Sequence, residues 1–430
     1  MACKLRIAIG ALTLAAITGP TPAASAQEPL RPAPLPAPSP HPFGQVRVGV
    51  LSFAPTIRFT NVGVDTNVFN HEGTERQASD VTATVSPGVE TRITTPRLDA
   101  RVATTLSLVY YRTYASERAV NPDVAAGAEE RLSSRLSLYG RTGIGYFKER
   151  SGFEIDNRPR RLSHSSTAGA RIGDRKLELD VHGTYAGESY DPDALFLNVH
   201  LAETMNHTAR GLGSGLTFRL SPYTSVVTAV DATATRFEFE TDRDTNSYAG
   251  SVGLQFHPRA MISGTAGLGY RVLDPLSVRN PSFSGFTPRA GLTYTLRDVL
   301  TVGVGAQRDV ETSFYSDRPY FLYTLYEGSV RQVLFHRFDI GGSLQYTTME
   351  YAQFVTEGVT LPALDPDVVR MATLNLGMPL ARKFHVGWYL QRWERLSVER
   401  PYHTTRAGLE LTVGMFNMSP RGIFLSGPGR

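Results

Sequence analysis

His164 and Ser166 stand two residues apart in the stretch LSHSSTAG, so on a strand their side chains would leave from the same face. An imidazole beside a hydroxyl is the minimum needed for general-base activation of a serine. Spacing assigns no acid or amide to orient that imidazole, and the same residues serve equally well as a polar wall. Asp191 with Asp193, and Asp365 with Asp367, are paired acids, but each pair is an Asp-Pro-Asp, which favours a turn for local backbone reasons. A calcium loop would need further ligands at regular spacing, and the sequence lacks them. The ten histidines are scattered, with no HExxH and no paired Cys–His spacing, so no zinc site is expected. Gly211-Leu212-Gly213-Ser214-Gly215 and Gly303-Val304-Gly305 lack the fingerprint and the strand-to-helix setting of a nucleotide site. These residues predict no catalytic centre, no metal and no cofactor, and hence no enzyme; His164 and Ser166 are the best pair on which a rival hydrolase reading could rest.

The charges carry more information. A period-two phase turns Arg58, Arg101, Arg135, Arg141, Arg271 and Arg289 to the same side as Asp99, Glu178, Asp180, Asp309, Asp339 and Glu410. Two readings stay open for such a side. It is a self-neutralising ladder that stiffens a wall, or a lumen lining that sorts charged solutes through the field of a pore. Arginine suits both, because its planar fork pairs with a carboxylate of the wall or of an acidic sugar.

Either reading needs elements with one wet face and one apolar face. Leu98 to Leu108 supplies one, with even positions mostly apolar and odd positions polar or small. The pattern returns in Leu177/Leu179/Val181, Val252/Leu254/Phe256, Ala290/Leu292/Tyr294/Leu296, Leu300/Val302/Val304/Ala306 and Leu409/Leu411/Val413/Met415. From Thr224 to Glu240 the phase changes between Ala234 and Phe237, which predicts a bulge or a strand end there. A soluble sandwich would also alternate, so connection lengths must discriminate. Short links such as Thr95-Pro96-Arg97, Gly173-Asp174-Arg175 and Ser221-Pro222 alternate with long ones at 70–79, 151–160 and 189–205, the habit of outer-membrane barrels. The expected fold is therefore all-β: a transmembrane, antiparallel, up-and-down barrel of about eighteen strands (16–18), a size that leaves an aqueous lumen. Aromatic groups near strand ends, such as Tyr110/Tyr111/Tyr114, Tyr146/Phe147, Tyr320/Phe321/Tyr323/Tyr326 and Trp388/Tyr389/Trp393, suggest interfacial girdles, with plain strand propensity as the rival explanation.

The ends of the chain agree with export. Lys4 and Arg6, the apolar run Ile7 to Ile17 and Ala24-Ser25-Ala26 form a signal peptide over residues 1–26, with cleavage expected before Gln27. That cleavage would remove Cys3, the one cysteine, so no disulfide is expected. Residues 27–44 are a proline-rich periplasmic linker, 45–416 the barrel, and 417–430 a tail after Phe416. So short a linker would leave no room for an N-terminal plug. After residue 26 no run reaches the ~20 apolar residues of a membrane helix. The composition, with 39 Gly, 19 Tyr and 21 Phe, is that of strands. Of 44 basic residues all but Lys4, Lys148, Lys176 and Lys383 are arginine, yet no basic stripe is visible, so nucleic acid is not an expected partner.

At the start of the barrel the chain reads Pro55-Thr56-Ile57-Arg58-Phe59, Val64-Asp65-Thr66-Asn67-Val68-Phe69, Ser79-Asp80-Val81 and Val85-Ser86-Pro87-Gly88-Val89. Over residues 55–89 this resembles the outer-membrane β-barrel porins whose genes often accompany exopolysaccharide or capsule synthesis. The resemblance implies fold, compartment and a link to polysaccharide secretion, but no settled activity. The expected function is a passive porin-like channel in the bacterial outer membrane. Its expected partners are outer-membrane lipids, the barrel-assembly machinery, and polysaccharide or small anionic solutes. Two rivals remain: a hydrolase acting on lipid or polymer through His164 and Ser166, a pair that also resembles the arrangement in outer-membrane phospholipases and deacylases, and a structural or adhesive barrel plugged by its own loops.

Overall fold

Alternating strands cannot end at an open edge inside a bilayer, because each unpaired N–H or C=O there costs several kcal/mol. This chain meets the constraint by closing its sheet. The computed structural model describes residues 46–72, 77–257, 260–297, 299–335, 337–353, 365–381 and 384–413. The expected signal peptide, the linker and the tail after Phe416 lie outside these residues. Six long strands come first: β1 (Leu51–Asp65), β2 (Asp80–Thr94), β3 (Leu98–Tyr111), β4 (Ala119–Arg131), β5 (Leu136–Lys148) and β6 (Arg160–Gly173). Next are β7 (Leu177–Tyr190), β8 (His207–Ser221), β9 (Thr224–Phe237), β10 (Thr245–Phe256), β11 (Ile262–Pro275) and β12 (Phe283–Leu296). The last six are β13 (Leu300–Thr312), β14 (Tyr320–Leu334), β15 (Phe338–Tyr351), β16 (Asp367–Ala381), β17 (Phe384–Leu396) and β18 (Tyr402–Val413). Each pairs antiparallel with its neighbours in the chain, and β18 returns to β1 with Ile57 opposite Val413 and Asp65 opposite Arg406. The barrel is an eighteen-stranded transmembrane barrel, as the alternation and the connection lengths predict.

Turn chemistry sets which connections stay short. Thr95 Oγ1 accepts from the Leu98 amide at 2.9 Å, and Asp174 Oδ1 accepts from the amides of Lys176 (2.7 Å) and Leu177 (3.0 Å). Those bonds cap tight turns at one end of the barrel. The connections at the other end include 66–79, 149–159 and 191–206, and that end is called here the long-loop mouth.

Register assigns every strand residue to one of two faces. Leu106 (37 % exposed) and Leu179 (38 %) leave from the outer face, and Thr105 and Asp180 from the inner. On the inner face curvature brings non-neighbouring strands together, so Tyr139 on β5 reaches Asp180 on β7 at 2.9 Å. The closing pair contains an irregularity that the alternation did not disclose. Between Phe59 and Val62 the register shifts, with Asn61 at φ 54°, so Arg58 and Asp65 share the inner face although their numbers differ in parity. Gly63 is needed beside this bulge, because a Cβ there would lie 1.9 Å from the Ala407 carbonyl oxygen. In β9 the phase change marks the strand end and not a bulge: pairing with β10 is continuous from Thr224 to Thr235, and Phe239 lies beyond the strand.

The aromatic groups divide between the faces. Tyr110, Tyr146, Tyr326 and Trp388 point outward, whereas Tyr111, Phe147, Phe321, Tyr323, Tyr389 and Trp393 point inward. Only the first set can contribute to a girdle. If the outer face meets lipid, Leu106→Arg should cost roughly 2–4 kcal/mol at mid-bilayer depth and Thr105→Arg much less. A refolding titration in lipid vesicles checks this, and equal tolerance of both substitutions would show the faces to be assigned the wrong way round.

Candidate constriction at the long-loop mouth

Below the mouth the inner wall is a chain of ion pairs. Arg92 pairs with Asp99, Arg101 with Glu90 at 2.8 Å, and Arg271 with Asp309 at 2.8 Å. Arg171 reaches Glu129 (3.2 Å) and Asp180 (3.3 Å), His182 lies between Asp180 (2.7 Å) and Asp231 (3.6 Å), and Arg219 reaches Glu178 (3.4 Å). Asp339 meets Arg331 (3.5 Å) and His385 (3.2 Å). Arg58, Arg141, Arg289 and Glu410 share this face, with Arg141 leaning over the Tyr139 ring at 5.7 Å. Arg135 is the exception. It lies exposed in the turn between β4 and β5, because β5 begins only at Leu136.

Nearer the mouth the wall turns apolar, and a loop enters to cover it. Residues 149–159, joining β5 to β6, place Phe153 against Phe321, Tyr323, Leu325, Met349, Val369, Met371, Trp393 and Tyr402. Those residues belong to β14 through β18, and β14 stands halfway round the ring from β5. The loop therefore crosses the bore. Phe153 is only 5 % exposed, and burying a phenylalanine side chain contributes about 1.5–3 kcal/mol. Its ring meets Trp393 at 5.9 Å between centroids.

Polar groups fix the crossing. Arg395 on the far wall donates to the carbonyls of Phe153 and Glu154, both at 3.1 Å, and pairs with Asp367 and with Asp156 at 3.5 Å. Arg400 holds Asp156 from a second loop at 2.7 Å. On the near side Arg158 spans Glu117 (3.0 Å) and Asp65 (3.6 Å), while Arg150 donates to the Asp156 carbonyl at 2.9 Å. Glu154 accepts from Ser313 Oγ at 2.6 Å and from the Phe314 amide at 3.0 Å. Burial pushes the Glu154 carboxyl up to about 7, against these bonds and against Arg395 and Arg243, which favour its charge. At the rim Arg318 beside Glu399 holds that carboxyl below its ordinary range.

The second long loop, 191–206, closes over the first. Its short helix Leu201–Met205 and Phe196 pack with Ile155 and Phe314, and Phe196 meets Phe314 edge-on at 4.8 Å. Arg243 binds the Thr204 carbonyl at 2.5 Å and the Ser313 carbonyl, and the Arg400 guanidinium lies 4.6 Å from the Phe196 ring centre. Together the two loops make a small core inside a barrel mouth.

The residues first suspected of chemistry lie elsewhere. His164 and Ser166 leave β6 on the outer face, where Ser166 bonds Thr142 at 2.9 Å and His164 rests against Tyr185 at 5.1 Å. Asp191 takes a turn role, accepting from the Ala194 amide through its carbonyl at 2.9 Å and from Tyr146 through its carboxylate at 2.8 Å. Asp367 instead opens β16 as the partner of Arg395. Gly211, Gly213, Gly215, Gly303 and Gly305 all lie on the inner face. Among the described residues no group of three or more His, Cys, Asp or Glu side chains could hold a metal ion. Phe153 and Ile155, two large apolar residues in a loop otherwise rich in charge, were the available sign of the crossing loop.

A family model described as "Putative beta-barrel porin 2" matches residues 39–414. No curated protein matches by sequence. Among solved structures the chain is similar to a BenF-like porin from Pseudomonas fluorescens Pf-5, with 11 % identity and a TM-score of 0.49 over 86 % of this chain and 99 % of that one. It is also similar to OccK2 (OpdF) from Pseudomonas aeruginosa, solved in complex with glucuronate, with 14 % identity and a TM-score of 0.47 over 86 % and 98 %. The siderophore receptor PirA from Acinetobacter baumannii gives 7 % identity and a TM-score of 0.45 over 84 % and 80 %. The family match is by sequence and stands independently of these likenesses.

Glu154 makes the seating of the loop depend on pH. Its carboxyl holds a proton more firmly when seated, at about 7 against an ordinary 4.5, so its contribution is full below about pH 4.5 and is lost as pH rises through about 7. Amide exchange across residues 149–159 should therefore quicken over that range, and Glu154→Gln should flatten the response. An identical pH response in the glutamine variant would remove Glu154 from the account.

Proposed function

The chain belongs to the β-barrel porin 2 family, and on that premise we propose that it is an outer-membrane channel for small solutes, narrowed at its outward mouth by its own loop 149–159. The observation that carries this reading is Phe153, which leaves one wall and is buried against the opposite one. A passage that runs beside or beneath such a loop suits small anions or single acidic sugars better than a continuous polymer. The link to polysaccharide secretion rests on the resemblance over residues 55–89 and on the arginines of the inner wall. Those arginines and their acidic partners are proposed to line water, where a low-dielectric wall focuses their field. The short turns would then face the periplasm and the long loops the exterior, with membrane lipid around the outer face and the assembly machinery as the insertion partner.

A plugged structural barrel is the second reading, and the same buried loop favours it. The hydrolase reading loses ground because Ser166 bonds Thr142 and His164 rests against Tyr185, so the pair is engaged with other residues and not with one another.

Single-channel recording separates the first two. Arg395→Ala leaves Asp156 and Asp367 buried without that partner, which should cost about 3–5 kcal/mol and release the loop. The wild-type barrel should conduct in small steps, and Arg395→Ala or a version with residues 151–157 shortened should conduct in larger ones. If folded, inserted barrels of all three stay silent, the channel reading fails and the structural one stands.

A second measurement addresses the wall. Replacing Arg101 and Arg141 together by Gln should shift ion preference away from anions, and added salt should weaken the shift by screening. Unchanged selectivity in a conducting barrel would show that these two arginines do not face the permeating ion.

A further inference from the structure

Register distributes charge unevenly over the outer face. In the half nearer the short turns, the described strand residues that point outward include a single charge, Glu130. In the half nearer the long-loop mouth, Arg210, Arg236, Arg308, Arg370 and Arg392 all point outward. Arginine at a lipid-facing position is costly at mid-bilayer and nearly free at an interface, so this band marks one interface. It also has a repeated construction. Arg118 lies over Tyr110 (4.6 Å), Arg160 over Tyr146 (5.1 Å), Arg210 over Tyr185 (5.8 Å) and Arg370 over Tyr346 (5.9 Å). In each, an outward tyrosine restrains a guanidinium, and Arg118 is held as well by the carbonyls of Tyr111 and Arg112.

One stretch of the band is a groove. Between β14 and β17 a concavity of about 470 Å³ is lined by Tyr326, Leu344, Tyr346, Arg370 and Arg392. Leu344 is 69 % exposed and Tyr326 55 %, so apolar surface is offered directly below the two cations. Glu394 stands across from Arg370 in register, and among the described residues neither arginine forms an ion pair. The groove thus keeps a net positive edge over an apolar floor.

We propose that this groove seats a phosphorylated lipid of the surrounding leaflet, its phosphate between Arg370 and Arg392 and its hydrocarbon along Leu344 and Tyr326. Guanidinium groups bind phosphate oxygens in a planar, two-point fashion, which suits a pair of arginines on neighbouring strands. A two-fold contact with a second copy of the chain is the poorer occupant, because it would bring the same cations face to face. The orientation of the barrel is taken from the proposed function; the lipid site itself does not depend on conduction, so a silent barrel would leave it standing.

The test is native mass spectrometry of the full-length barrel, refolded in detergent and offered diphosphoryl lipid A, the same glycolipid without its phosphates, or phosphatidylcholine. Wild type should retain the diphosphorylated lipid and lose the dephosphorylated one. Arg370→Gln with Arg392→Gln should lower retention about tenfold or more, given roughly 1 kcal/mol for each basic residue at an anionic surface. Equal retention of the phosphorylated and dephosphorylated lipids by wild type would overturn the proposal, and so would undiminished retention by the double variant. A lipid-independent dimer that the double variant dissolves would assign the groove to a second copy instead. Should the variant not fold, the comparison of the two glycolipids on wild type still decides.

Discussion

Closure of the backbone hydrogen-bond network is the constraint from which the rest of this structure follows. A strand in hydrocarbon has no solvent for its amides, so β18 must return to β1, and the return fixes the number of strands together with their tilt. The bulge at Asn61 and the bare Gly63 sit on that closing pair, where two sequence-distant strands approach. Closure also creates the two faces. Curvature spreads side chains on the outside and gathers them on the inside, which is why ion pairs on the inner wall reach past nearest neighbours, as Arg171 on β6 does to Glu129 on β4.

The inner face is in turn divided along its length. Toward the short turns it is a ladder of alternating charge, in which most arginines already have a carboxylate. Toward the long loops it becomes apolar, with Met349, Val369, Met371 and Trp393 side by side. An apolar band facing the inside of a water-filled tube would be unfavourable, and the crossing loop covers it with Phe153. The loop thus serves the stability of the wall and the width of the bore at once. Its hold is mixed, a buried aromatic contact reinforced by Arg395, Arg400 and Arg158, so release would need both the ring and its ion pairs to part.

The outer face answers to a different solvent. Leucines and valines meet the hydrocarbon, while among the described residues outward arginines stacked on tyrosines appear only at one end. Aromatic residues near strand ends therefore do two jobs in this chain. Those on the outer face stack with arginines, and those on the inner face build the core within the mouth.

By itself the sequence determined the class of fold, the approximate strand number and the face of most strand residues, because all three follow from a period of two and from turn residues, which are local. Arg101, Asp99, Asp180 and Asp309 could be assigned to one face for that reason. Tertiary structure alone decided the rest. Arg135 left the wall because a strand began one residue later than its alternation suggested, and Arg58 and Asp65 share a face only because a bulge intervenes. His164 and Ser166 were correctly read as sharing a face, yet which face that is depends on pairing with Thr142 and Tyr185. Loop 149–159 was legible as a long link that carries two large apolar residues, Phe153 and Ile155, but nothing in its own residues names a partner. The wall that buries Phe153 is assembled from residues 321 to 402, brought opposite by closure of the ring. A contact between segments so far apart in sequence has no periodicity to announce it, and that is where local reading of this chain ends.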